Sequence, residues 1–253
     1  MISGENMNYK LKVENISKSF ISKNSKIMAI KDVSFDIENG SITAIVGTSG
    51  CGKSTLLNII AGLESQDSGK CIFDNKDARI SYMLQNDALL PWRNVLDNAC
   101  LGLELRREKN ENNVLFVKKL LEDYGLTEFI DKKPSSLSGG MKQRVALIRS
   151  LAIKPDLLLL DEPFSALDYY TRLTISEDVR NMIKKLNTTA IIITHDIAEA
   201  LSLADKVIVL SKRPSIVKNV YHIDFGENQT VLEKRTSPLF NKLYEEIWRD
   251  LDV

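Results

Sequence analysis

The stretch GTSGCGKS, Gly47 to Ser54, combines three glycines, a lysine and a hydroxyl at the spacing of a phosphate-binding loop, between a buried-strand pattern and a helical one. Gly47, Ser49, Gly50, Cys51 and Gly52 present backbone N–H groups to the β- and γ-phosphates of a nucleotide. Lys53 adds positive charge to them, and the Ser54 hydroxyl suits Mg²⁺. Thr55 falls on the α-phosphate side. A purely structural glycine-rich turn would leave the lysine and the hydroxyl unexplained. Cys51 reads as a tolerated small residue of the loop, not as a redox sensor.

Four leucines, 157 to 160, run into Asp161-Glu162-Pro163, the shape of a buried central strand ending in carboxylates. Asp161 is placed to hold hydrated Mg²⁺ and Glu162 to polarise an attacking water, although acids also suit a helix start for its dipole alone. His195 directly follows AIIIT, so its imidazole at a strand end can reach a γ-phosphate, and Gln85, ending RISYMLQ, can contact Mg²⁺ or the water. His222 lies in a polar strand-like stretch and reads as structural. A second anion cradle is written in LSGGMKQR, where Ser138 and two glycines open a helix carrying Met141, Val145, Ile148 and Leu151 on one face. Two phosphate cradles on one chain need an explanation.

The elements that must position these groups follow from periodicity. LKVENI and VSFDIENG alternate apolar and polar, as antiparallel strands near an edge would, with a turn at Glu38-Asn39-Gly40. SITAIV is a buried strand leading through the glycine loop into a helix from about Lys53. Helical patterns VLDNACLGLELRR and NVLFVKKLLEDYGL fill the region from about Asn94 to Lys133; with the helix after Ser138 they predict a helical lobe over about 94–153. Strands DLLLLD, TAIIIT and KVIVLS then alternate with helices. The expected fold is α/β: a phosphate-loop nucleotide-binding core with a mostly parallel sheet, an N-terminal antiparallel β-subdomain and an inserted α-helical lobe, in a single domain over 1–253. From Ser237 a capped helix with Pro238 at its first turn puts Leu239, Leu243, Ile247 and Leu251 on one face, for packing against the domain.

Composition narrows the classes. At 253 residues and 43% hydrophobic, the chain can bury one large core. Its 34 basic and 34 acidic residues cancel, so no overall positive field gathers nucleic acid or anionic lipid. Cys51, Cys71 and Cys100 lack metal or disulfide spacing and suit a reducing compartment. MISGENMNYK has no apolar signal core, and no apolar run is long enough to span a bilayer, so a membrane role must run through a partner.

Taken together, the loop at Gly47 to Thr55, Gln85, LSGGM at 137 to 141, LLLLDEP at 157 to 163, SALD at 165 to 168 and His195 resemble the ATP-binding cassette ATPases, in order and over most of the chain. That resemblance implies ATP and Mg²⁺ as cofactors and an adenine-stacking role for Phe20. It also accounts for the second cradle. In that family two cassettes face head to tail, so Ser138, Gly139 and Gly140 would cap the γ-phosphate held by a second copy, with Asp168 linking the facing sites. Met141 stands where the family most often has Gln, which removes a side-chain amide but not the backbone cradle.

A lone cassette resembles the ATPase subunit of an importer, at the cytoplasmic face of the cell membrane, joined to an integral membrane permease and through it to a solute-binding protein. LeuProTrp at 90 to 92 resembles cassettes for nitrate, sulfonates, taurine or a thiamine precursor. Pro91 and Trp92 would then line the groove for the permease, the alternative for Trp92 being lobe core. The competing readings are a soluble cassette remodelling nucleic acid or ribosomes, disfavoured by the charge balance and the single cassette, and a phosphate-loop kinase, disfavoured by LSGGM and DEP.

Overall fold

The computed structural model describes residues 9–22, 25–226 and 229–251. It opens with two long strands, β1 (Tyr9–Ser22) and β2 (Ser25–Glu38), paired antiparallel. Strand β3 (Ile42–Val46) leads through the glycine loop into α1 (Lys53–Ile60), and β4 (Ser68–Phe73) returns to β1. The resulting sheet has the order β2-β1-β4, with β2 at its edge and β1 between β2 and β4. Between Val13 and Ile16 the register shifts and Asn15 takes a φ of 52°, which keeps Leu11, Val13 and Ile16 all buried despite their uneven spacing.

After β5 (Ile80–Met83) the chain is helical: α2 (Val95–Ala99), α3 (Leu101–Leu105), α4 (Glu111–Asp123) and α5 (Gly139–Leu151). Asn94, Asn110 and Ser138 cap α2, α4 and α5 by accepting from backbone N–H groups three residues on. The single helix suggested by VLDNACLGLELRR is two short ones meeting at Cys100, which caps the first at its C-terminus and the second at its N-terminus. The remaining elements are β6 (Leu157–Asp161), α6 (Tyr169–Lys185), β7 (Thr189–Thr194), α7 (Ile197–Leu203), β8 (Lys206–Leu210), β9 (Val217–His222), α8 (Val231–Thr236) and α9 (Pro238–Asp250).

Six strands form the main sheet in the order β5-β6-β7-β3-β8-β9, parallel except for β9. Layers cover both of its faces. Leu158 and Leu160 of β6 join the core beneath α4 to α7 and α9, whereas Leu157 and Leu159 join the core shared with α1, β1 and β2. All four leucines are fully buried, each worth about 2 kcal/mol relative to exposure, which is why this strand reads as an unbroken apolar run. Pairing puts Val46 opposite Thr194, Ile193 opposite Asp161 and Leu160 opposite Met83. The segments leaving β3, β5, β6 and β7 therefore emerge at one edge, where open parallel sheets bind ligands.

Candidate active site

The glycine loop leaves β3 and enters α1 through Gly52, whose φ of 122° disfavours any L side chain. No side chain caps α1, so its first N–H groups and the positive end of its dipole remain available to an anion. A cavity of about 280 Å³ lies here, lined by Phe20, Ser49, Gly50, Gly52, Lys53, Ser54, Thr55, Glu162 and Arg213. Lys53 is nearly buried, its ammonium donating to Gly47 O at 2.8 Å and Thr48 O at 3.1 Å. The Cys51 side chain is absent from this cavity: it is buried in the core beneath the loop, against the Cα of Gly47, so only its backbone faces the phosphate side.

Carboxylates approach from β6. Ser54 Oγ donates to Asp161 Oδ1 at 3.3 Å and the Tyr82 hydroxyl to Asp161 Oδ2 at 3.2 Å, so one carboxylate joins α1 to β5. Burial, and then the adjacent Asp161, push the Tyr82 phenol well above its ordinary value, so the hydroxyl stays a donor. Glu162 adopts a φ of 45°, left-handed backbone that is uncommon for a side chain other than Gly, Asn or Asp, while its N–H donates to Ile193 O at 2.9 Å. That turn takes Glu162 out of the strand line. Its Oε2 comes within 3.2 Å of His195 Nδ1. The loop carrying His195 is fixed in turn by Asp196, which caps α7 and pairs with Arg172 at 3.3 Å.

Gln85 lies outside the cavity lining. It donates to Ser165 Oγ at 3.3 Å, and that hydroxyl donates to Glu162 O at 3.1 Å, which ties the amide to the end of β6. The second cradle is separate. Ser138 Oγ accepts from Met141 N at 3.3 Å, and a cavity of about 310 Å³ beside it is lined by Ser138, Gly140, Met141, Arg144, Tyr170 and Thr171 among others, none of which borders the first cavity. Gly140 is closely packed, since a Cβ there would lie 3.0 Å from Thr171 Cγ2 and 3.3 Å from Ile175 Cδ1. Gly139 lies against Leu167. Asp168 caps α6 through Thr171 N at 3.1 Å, and hydrogen bonds from Thr171 hold its carboxyl below the ordinary range.

Two site groups escape a reading of the sequence. Arg213 reaches the loop from beyond β8, its guanidinium donating to Gly50 O through Nε at 3.0 Å and also through a terminal nitrogen. No local pattern marks it. Tyr82 does carry a signal, since it stands on β5, three residues before Gln85 and next to the buried Met83. His222 is exposed at the end of β9, away from the site residues.

A phosphate cradle at a helix N-terminus, a carboxylate–hydroxyl pair beside it and a carboxylate–histidine pair facing it define a phosphate-loop nucleotide hydrolase. The chain belongs to the ABC transporter family, whose pattern it matches over residues 30–165, and it is an ATPase. It is 40% identical to the taurine import ATP-binding protein TauB of Rhizobium johnstonii, over 94% of each chain. It is 38% identical to the nitrate transport protein NasD of Klebsiella oxytoca, over 81% of each. Among solved structures, the dimeric, post-hydrolysis ATP-binding cassette MJ0796 bound to ADP and phosphate superposes with a TM-score of 0.70 at 29% identity, covering 85% of this chain and all of that one. Among the described residues no helix is long and apolar enough to cross a membrane.

Proposed function

We propose that this chain, a single ATP-binding domain over residues 1–253, is the ATP-hydrolysing subunit of an importer for a small solute of the nitrate, sulfonate, taurine or thiamine-precursor type. The observation that carries the reading is that the chain has two distinct cradles: the cavity at Lys53 and the cavity at Ser138 share no lining residue, which supports a nucleotide held between two copies. A second copy, placed head to tail, brings Ser138, Gly139 and Gly140 of one chain over the γ-phosphate held by the other. The dimeric cassette at TM-score 0.70 and the taurine and nitrate relatives support it.

Within each site Phe20 stacks on adenine, and Gly47, Ser49, Gly50, Cys51 and Gly52 cradle the phosphates through their backbone. Lys53 neutralises the terminal phosphates and Thr55 serves the α-phosphate side. The paired oxygens of Ser54 and Asp161, 3.3 Å apart, are hard donors that fit Mg²⁺, with Gln85 approaching once the cassette closes. Mg²⁺, when bound with ATP, supplies neutralisation of the phosphate charge. Glu162 positions and polarises a water and accepts its proton, the water oxygen bonding to the γ-phosphorus as the bond to the bridging β–γ oxygen breaks and ADP leaves. His195, in contact with Glu162, has one N–H to give, to that carboxylate in the resting site or to the γ-phosphate once ATP is bound. Asp168 links the facing sites.

Closure of the dimer drives a separate integral membrane permease, and the chain works at the cytoplasmic face of the cell membrane, with a solute-binding protein across it. Trp92 supports the docking role: it is 69% exposed, not lobe core, and stands between β5 and α2. Purification of tagged Glu162→Gln with ATP from detergent-solubilised membranes tests the reading. A multi-span permease in the eluate sustains it, and reproducible recovery of only soluble protein or nucleic acid would replace it with a remodelling ATPase.

A further inference from the structure

Helix α9 is the element whose position the hydrolysis chemistry leaves unexplained. It buries Phe240, Leu243 and Ile247 against the core, as a packing helix should. Along the margin of that buried face runs a row of stacked rings, Phe240 to Tyr244 at 6.5 Å and Tyr244 to Trp248 at 6.2 Å between centroids. The run ends in Trp248, which is 45% exposed and held in place by its neighbour. A groove of about 340 Å³ separates this end of α9 from the phosphate loop, bordered by Thr48, His195, Ile197, Tyr244, Trp248 and Leu251. An exposed tryptophan thus stands beside the nucleotide site on a rigid helix.

A matching pair of rings stands beside the other cradle. Tyr169 and Tyr170, 58% and 81% exposed, open α6 directly after Asp168 and meet edge to face at 5.7 Å. Tyr170 also borders the cavity at Ser138. In a head-to-tail pair, what surrounds the Ser138 cradle of one copy meets what surrounds the phosphate loop of the other, and two-fold symmetry makes the contact twice. Three exposed aromatic rings at the margins of two complementary sites are the composition of an interface anchor.

We propose that α9 is part of the ATP-dependent dimer interface: Tyr169 and Tyr170 of a second copy seat in the groove between Trp248 and His195. The inference rests on the head-to-tail reading above and extends it to the C-terminal helix. Stacking through Tyr244 pre-sets Trp248, so little side-chain freedom is lost when the second copy arrives. Closure of the dimer then places the tyrosines against the loop that carries His195.

Three measurements on Glu162→Gln test it. With Trp92→Phe added, Trp248 is the single tryptophan of the chain, and its emission shifts on adding ATP at protein concentrations where sedimentation reports a dimer. Trp248→Ala and the pair Tyr169→Ala/Tyr170→Ala each weaken ATP-dependent dimerisation by about tenfold, and combining them adds little more, because both remove one contact. A photoreactive benzoyl-phenylalanine at position 248 cross-links the dimer in ATP alone, to the peptide carrying residues 169 and 170. An ATP-dependent dimer with unchanged emission, unchanged dissociation constants, or a cross-link elsewhere overturns the role of α9 and leaves the head-to-tail reading standing. Failure to form any ATP-dependent dimer removes both.

Discussion

His195 Nδ1 and Glu162 Oε2 lie 3.2 Å apart, joining the ends of β6 and β7 across the face of the phosphate cavity. Neither residue is free to act alone. The left-handed backbone of Glu162 turns it away from its strand, and the Asp196–Arg172 pair holds the loop from which His195 projects.

Glu162→Gln and His195→Ala are therefore expected to slow phosphate release each by about 10²- to 10⁴-fold, with ATP affinity largely kept. Because the two side chains share one contact, the double variant should be about as slow as the worse single one, far short of the product of the two losses. Multiplicative losses in a phosphate-release assay would show that they act independently.

Lys53 sits nearly buried with Gly47 O and Thr48 O as its partners, so its charge is held inside the loop before any nucleotide arrives. Lys53→Ala removes a charge-assisted contact to the phosphates and should weaken binding of a non-hydrolysable ATP analogue by about 10- to 100-fold, measured by calorimetry. Adenosine, which has no phosphate, should be indifferent to the change. Equal losses for both ligands would mean that the loop had collapsed instead.

Tyr82 donates to the same carboxylate that Ser54 contacts, from a partly buried position on β5. Tyr82→Phe keeps the ring and removes only the hydroxyl. Asp161 then loses the partner that orients it, and the Mg²⁺ concentration needed for half-maximal hydrolysis should rise by about tenfold. An unaltered Mg²⁺ titration would confine Tyr82 to packing.

The edge on which these groups meet could be read from the chain because the strands leading to it are buried on both faces. LLLL before Asp161 and AIII before Thr194 and His195 leave few alternatives to parallel strands, and the residues after them must share an edge. The exposed strand β4 has no such run; it is found only through its pairing with β1. Arg213 lies far along the chain from Gly50, and nothing local announces that contact. Cys51 shows the opposite failure, since its place inside a ligand-binding motif hides that its side chain points into the core. The sharp backbone of Glu162 is set by tertiary hydrogen bonding to β7, not by the type of the residue itself.

Glu199 supplies a pH dependence of stability. It stands on α7, four per cent exposed, with Oε1 lacking a hydrogen-bond partner. Burial, and then the neighbouring Asp196 carboxylate, push its acid up to about 8 from an ordinary 4.5, against a lowering contribution from a Thr194 hydrogen bond. The folded protein therefore keeps a proton that the unfolded chain releases. Between about pH 4.5 and pH 8 the unfolded state binds fewer protons at this group, so stability falls as pH rises and levels off above the folded value. Glu199→Gln removes the titrating group while keeping its shape. The melting temperature of the variant relative to the parent should climb steadily through that window and then flatten, whereas a constant offset at every pH would show that Glu199 is already ionised in the fold.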